Sequence, residues 1–146
     1  MHDSLFHINT ATTSILNTGS QFTQLPNGEW LASGGIIDGA RISDEYMLFK
    51  QGRNQWTKVG NMKRARWHHA SVYIDGVLLT TGGLDSPPSS RIFTLLSSLI
   101  SHHEHFSFDG GVRKRKELPI ALYRHTATMF GNHKMLISGG RDIKVI

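Results

Sequence analysis

The stretch from Met62 to Gly83, MKRARWHHASVYIDGVLLTTGG, constrains the fold more than any other part of the chain. Ala70, Val72 and Ile74 alternate with other residues, Asp75-Gly76 follows, and Val77, Leu78 and Leu79 run on to Gly82-Gly83. Asp-Gly between two hydrophobic runs specifies a tight hairpin, because a two-residue type I′ turn needs φ > 0 at both central positions. The plan recurs on either side. Upstream, Phe22 to Leu25, the turn Pro26-Asn27-Gly28 and the run from Trp30 to Ser33 end at Gly34-Gly35. Downstream, His125 to Phe130, Gly131-Asn132 and a second apolar run end at Gly139-Gly140.

Spacing turns this recurrence into a repeat. His68 precedes Gly82 by 14 residues and His125 precedes Gly139 by 14, so the two histidines are aligned with each other. Gly34 to Gly82 is 48 residues and Gly82 to Gly139 is 57, which assigns a nine-residue insertion to the middle unit. In the first unit, Asp44 to Phe49 reads as a third strand and Gln55 to Val59 as a fourth, with 36–43 as a polar loop between hairpin and third strand. In the second, Ser90 to Leu96 aligns with Ser43 to Phe49, placing Phe93 in the slot of Tyr46. The insertion then falls at about 97–112, and the fourth strand lacks a counterpart of Trp56, with Phe106 or Phe108 available to fill its space. The expected organisation is an N-terminal segment 1–19 contributing a strand to a preceding unit, unit one at 20–61, unit two at 62–118, and the first hairpin of unit three at 119–146.

Four short strands per unit, at a period of ~40 to 50 residues, suit propeller blades, whose small sheets bury their faces on their neighbours. The residues carrying the pattern are Gly34-Gly35, Tyr46, Trp56, Met62, Arg66, His68, Gly82-Gly83, His125 and Gly139-Gly140, and together they resemble the kelch repeat. LPNGEWLASGG, IDGVLLTTGG and GNHKMLISGG are also similar to the propellers of the galactose-oxidase-like superfamily. The resemblance implies an all-β, kelch-type β-propeller of four-stranded antiparallel blades, of which about two and a half are present. It implies that the double glycines permit close backbone packing, and that Tyr46 and Trp56 fill space within and between blades. Propellers usually have 4 to 8 blades, so the reading expects a longer protein or self-association.

Composition narrows the function. With no Cys, these residues hold no disulfide, thiolate metal site or cysteine nucleophile, and the copper and Tyr–Cys centre of galactose oxidase cannot form from them. The first residues lack a secretory pattern and no run approaches the ~18 apolar residues of a membrane span, so a soluble, cytoplasmic protein is expected. Net charge is +5, much of it in Lys63, Arg64 and Arg66 and in Arg113 to Lys116. The second run reads as a solvated charged turn, and nucleic acid is disfavoured because no aromatics interleave the charges. His102-His103-Glu104-His105 offers metal-ligand chemistry, but adjacent residues of extended chain face opposite ways, so a solvated loop is expected and no metal or cofactor is assigned. His68 and His125, being repeated, are expected to bond backbone at the start of a blade. No nucleophile elbow, phosphate loop or H-E-x-x-H is present, and no enzyme activity is expected.

What remains is a protein-interaction module that binds a protein partner through inter-strand loops. The resemblance points to the loops after the double glycines and to the start of a blade, here Ile36, Asp38, Arg41, Arg66, Asp85 and Ser89. The alternative is the propeller part of a galactose-oxidase-like or other secreted enzyme whose catalytic residues lie outside this chain.

Overall fold

The computed structural model describes residues 17–38, 40–50, 52–53, 55–87, 99–117 and 120–142. They form an all-β protein of twelve strands, with no helix among the described residues. The first unit is an antiparallel meander of β1 (Gln21–Gln24), β2 (Trp30–Ser33), β5 (Glu45–Phe49) and β6 (Trp56–Asn61), with the two-residue strands β3 (Ile36–Ile37) and β4 (Arg41–Ile42) as a small hairpin between β2 and β5. The polar loop expected at 36–43 therefore contains paired backbone. The second unit is the meander β7 (Ala70–Ile74), β8 (Val77–Thr81), β9 (His102–Ser107) and β10 (Gly111–Glu117). A third hairpin pairs β11 (Tyr123–Phe130) with β12 (Lys134–Arg141).

Turn chemistry explains the hairpins. Asp75 and Gly76 both have positive φ, 52° and 79°, as a type I′ turn requires, and Ile74 pairs with Val77 across it. The third hairpin turns through Gly131, Asn132 and His133, one residue more, with Phe130 opposite Lys134. That extra residue corrects the alignment of histidines. Ala70 pairs with Thr81 just before Gly82, and Thr126 pairs with Ser138 just before Gly139, so His69, not His68, is the structural counterpart of His125. His68 matches Arg124 instead: both have positive φ, 52° and 55°, as does Gly19 at 72°. His68 N–H donates to Gly19 O at 3.0 Å and Arg124 N–H to His68 O at 2.8 Å, a chain of bonds joining the starts of the three units.

The insertion also moves. Ile36 pairs with Ile42 in the first unit, and the corresponding bridge in the second joins Leu84 to Leu99. The matching closing bonds are Ser43 N–H to Gly35 O and Ile100 N–H to Gly83 O. The paired positions are six apart in the first unit and fifteen apart in the second, so the nine extra residues lie between Leu84 and Leu99, not at 97–112. The third strand of unit two is accordingly β9, and the fourth strand that lacked a tryptophan marker is β10. Phe93 and its strand at 90–96 lie outside the described residues, as do 1–16.

The main core lies between the two four-stranded sheets. Leu31, Tyr46 and Leu48 from the first meet Leu78 and Phe106 from the second, with Leu25 and Met62 closing the ends. Tyr46 stacks on Phe106 with ring centroids 4.5 Å apart. Gly60 admits that ring, since a Cβ there would stand 2.9 Å from Phe106 Cε2. Each such side chain contributes about 1.5–3 kcal/mol relative to exposure. On the opposite face of the first sheet, Trp56 packs against Phe49 and Phe22, at centroid distances of 5.3 and 6.0 Å. Tyr46 thus fills space between sheets and Trp56 within one. A second cluster, Ile36, Trp67 and Leu84, joins the two units at the double-glycine end.

The double glycines answer a steric demand. Gly34 and Gly82 have φ of 62° and 60°, and a Cβ on either would clash with a backbone oxygen of the next unit, Arg66 O or Leu122 O. Gly35 N–H and Gly83 N–H donate to those same oxygens at 2.9 and 2.8 Å. Side-chain-free backbone is what lets consecutive units dock at this end.

Candidate functional site

The loops that follow the double glycines share one end of the sheets. Asp38, at φ 52°, and Arg41 are exposed on the β3–β4 hairpin. Arg41 lines a cleft of about 210 Å³ with Asn17, Ser20, Gly34, Ser43 and Glu45. Ile36 does not share that exposure: it is 4% accessible, packed on Trp67 and Leu84, and belongs to the core. Asp85 is half-buried and already engaged. It forms an ion pair with Arg64, whose Nε donates to Asp85 Oδ2 at 2.6 Å, while Trp67 Nε1 donates to Ser86 O at 2.7 Å. Ser89 lies outside the described residues.

Arg66 is likewise no surface contact. Its guanidinium and the Glu104 carboxylate are both 0% accessible and meet at 2.8 Å, Nη2 to Oε1. Nη1 donates to Gly82 O at 2.9 Å, and Glu104 also accepts the backbone N–H groups of Lys63 and Arg64 at 2.9 and 3.1 Å. One buried ion pair therefore holds the connection from β6 to β7 against both the double glycine and the third strand of the next sheet. Burial lowers the Arg66 pKa from its ordinary value, while the Glu104 charge opposes that shift. Tyr46, buried beside the pair and hydrogen-bonded to Thr80 Oγ1 at 3.3 Å, is pushed up to about 12, chiefly by desolvation.

This overturns the expectation of a solvated histidine loop. Residues 102–105 are the first four residues of β9, and strand alternation puts Glu104 and Phe106 on the face toward the first sheet and His103 and His105 on the other. The run is tolerated in a sheet because Arg66 supplies the counter-charge its one carboxylate needs. The basic run is not a turn either. Arg113 to Lys116 lie in β10, at the edge of the second sheet.

Histidine and hydroxyl form a repeated contact. Ser33 Oγ and His69 Nε2 are hydrogen-bonded at 2.8 Å, and Thr81 Oγ1 and His125 Nε2 at 2.6 Å. In each case the hydroxyl directly precedes a double glycine and the imidazole belongs to the next unit, His69 immediately before β7 and His125 in the first half of β11, so the bond is to a side chain rather than to backbone. His69 Nδ1 and His125 Nδ1 are buried without a hydrogen-bond partner among the described residues. A bare lone pair costs less there than a buried N–H, which favours the neutral tautomer with the proton on Nε2, donating to the hydroxyl. Desolvation, reinforced by the Arg66 charge and then by His125 and His68, holds the His69 pKa well below 6.5. His125 is lowered by burial.

A serine beside an imidazole invites comparison with a nucleophile and its base, but the geometry differs. Ser33 and His69 are both out of solvent, and among the described residues no carboxylate orients His69 Nδ1. Among the described residues no three His, Asp or Glu side chains converge to hold a metal ion. The arrangement locks consecutive units together.

Of the residues singled out from sequence, the structure brings Gly34, Gly82, Met62, Arg66 and His125 to the junctions between units, and leaves Asp38 and Arg41 exposed. Sequence reasoning missed His69, Ser33 and Thr81, and placed Glu104 in a solvated loop rather than in a buried ion pair. A signal for the hydroxyls existed, since Ser33, Thr81 and Ser138 each directly precede a double glycine. Comparison with protein-family models and with curated proteins finds no match to this chain.

Proposed function

We propose that this chain is part of a kelch-type β-propeller and serves as a non-catalytic module whose protein partner docks on the loops following the double glycines. The observation that carries the reading is the location of the nine-residue insertion. It falls in the loop after Gly82-Gly83, at the end where hydrogen bonds, a buried ion pair and two histidine contacts hold the backbone fixed. A loop that varies in length on a rigid support is where recognition concentrates. The repeated bonds from one unit to the next, Gly35 to Arg66 and Gly83 to Leu122, support the blade reading, since they set consecutive sheets in the same relation. Asp38 and Arg41 on the shorter loop are the exposed charges such a partner would meet.

The test compares three proteins in affinity capture with cross-linking mass spectrometry: wild type, Asp38→Lys with Arg41→Glu, and a deletion of 88–96. A control, Lys50→Ser, changes an exposed turn at the other end of the first sheet. Partners retained by wild type and control but lost by both loop variants, with melting temperatures unchanged, support the reading. Equal retention by the loop variants overturns it.

A further inference from the structure

Consecutive units dock through one repeated junction, and the third hairpin carries the same half-junction in exposed form. At the first junction Gly35 N–H donates to Arg66 O and Ser33 Oγ meets His69 Nε2; at the second, Gly83 N–H donates to Leu122 O and Thr81 Oγ1 meets His125 Nε2. Ser138 and Gly139-Gly140 hold the corresponding positions of the third unit, and all three are exposed. Gly139 and Gly140 have φ of 69° and 89°, close to the 62° and 95° of Gly34 and Gly35. At Gly34 and Gly82 a Cβ would strike an oxygen of the next unit, whereas at Gly139 it would meet nothing within 4 Å among the described residues. The backbone shape that docking uses is therefore already set there.

The side chains agree. Leu31 and Leu136 each stand three residues before a double glycine, yet Leu31 is 1% accessible and Leu136 48%. Leu25 and Ile74 end the first strand of their hairpins and are buried, while Phe130, at the same position of the third, is 61% exposed. The first sheet carries the complementary half. Ser71 and Thr80 face the unit before them, where they are hydrogen-bonded to Thr23 and Tyr46. Phe22 and Ala32 pair with each other at those same positions of the first unit, and Phe22 is 39% exposed. One exposed apolar face is thus the side a unit offers its successor, and the other is the side a unit offers its predecessor.

We propose that a second copy of this chain docks the Phe22 face of its first sheet on the Phe130 and Leu136 face of the third hairpin, head to tail. Continuity with the two junctions inside the chain selects this occupant, since the docked sheet then stands to β11 and β12 as the second sheet stands to the first. Gly140 N–H donates to the docked copy's Asn17 O, because Asn17 precedes Ser20 by three residues as Arg66 precedes His69 and Leu122 precedes His125. Ser20 stands in the histidine position, so this contact lacks the imidazole and is weaker than the two within the chain. The two faces differ, which makes the contact heterologous and builds rings or filaments rather than a two-fold dimer. It rests on the junction geometry and not on what the loops bind.

Sedimentation velocity on the full chain reads the association directly. The wild type should gain mass with concentration between about 1 and 100 μM. Phe22→Glu and Leu136→Glu, both at exposed positions, should each weaken self-association at least about tenfold, with the wild-type β-sheet circular dichroism kept. Mixed one to one, they should form a dimer and nothing larger, because each retains the face the other has lost. Gly139→Ala adds a methyl with room in its own chain and should weaken association as well. A wild type that stays monomeric throughout, a mixture that stays monomeric, or variants that associate like the wild type overturn the proposal. The wild-type series and Gly139→Ala decide the matter even if a glutamate variant fails to fold.

Discussion

Arg66 Nη2 donates to Glu104 Oε1 at 2.8 Å, and neither side chain reaches solvent. The pair ties the segment between β6 and β7, which links the first unit to the second, to the third strand of the second. It also explains how a sequence as polar as HHEH can occupy the middle of a sheet. Removing one partner leaves an uncompensated buried charge, which costs about 3–5 kcal/mol. Glu104→Ala should therefore lower stability by that amount in urea denaturation. The double variant Arg66→Met, Glu104→Leu should recover part of the loss, keeping a deficit of about 1–3 kcal/mol because the Lys63 and Arg64 amides lose their acceptor. A double variant no more stable than Glu104→Ala would argue that the charge pair is not what matters.

The glycine pairs should not be equivalent. Gly82→Ala puts a Cβ against Leu122 O and within 2.6 Å of His125 Cε1 at φ 60°, whereas Gly139→Ala at φ 69° meets nothing within 4 Å. Gly139→Ala should show only the left-handed backbone cost, about 1–2 kcal/mol. Gly82→Ala should cost clearly more or abolish folding. Equal melting temperatures for the two would contradict the close approach.

Acid should loosen the junction between units. His69 is neutral when folded, with its pKa held below the ordinary 6.5, so below about pH 6.5 the unfolded chain binds a proton that the folded chain does not. Stability is then full above that pH and falls as pH drops toward the folded-state value, with a limiting slope of about 1.4 kcal/mol per pH unit for this one group. His125 acts in the same direction. Unfolding free energies measured between pH 7.5 and 5 should show the decline, and His69→Gln should flatten it. An unchanged slope in His69→Gln would assign the effect to other groups.

Two neighbouring phenylalanines test the register of β9. Phe106 is buried and stacked on Tyr46, while Phe108 is 52% exposed at the turn. Phe106→Ala should destabilise by about 3–5 kcal/mol. Phe108→Ala should cost less, about 0.5–1.5 kcal/mol, the worth of its edge contact with the Phe106 ring at 5.4 Å. The reverse order would slide the pairing of β9 by two residues, since positions 106 and 108 share a face.

Where local chemistry decides, the sequence was legible. Asp75-Gly76 and the strands β1, β2 and β5 to β8 follow from turn geometry and alternation, while the need for glycine at Gly34 and Gly82 is legible only through the resemblance to the kelch repeat. Counting residues failed where turns differ in length. The equal 14-residue spacings matched His68 with His125, because a longer turn in the third hairpin compensated for a one-residue offset. The insertion was misplaced because β9 carries no apolar alternation, its inward positions being Glu104 and Phe106.

The sequence by itself determined that this chain builds short antiparallel strands in recurring hairpins closed by double glycines, because φ preferences and period-two alternation act over a few residues. Only the tertiary structure decided that HHEH is a strand, that Arg66 and Ile36 are interior, and that His69 rather than His68 is the junction histidine. Each of these depends on a partner dozens of residues away. The stability of a buried charge or imidazole is set by what the other sheet places beside it, and no local pattern encodes that.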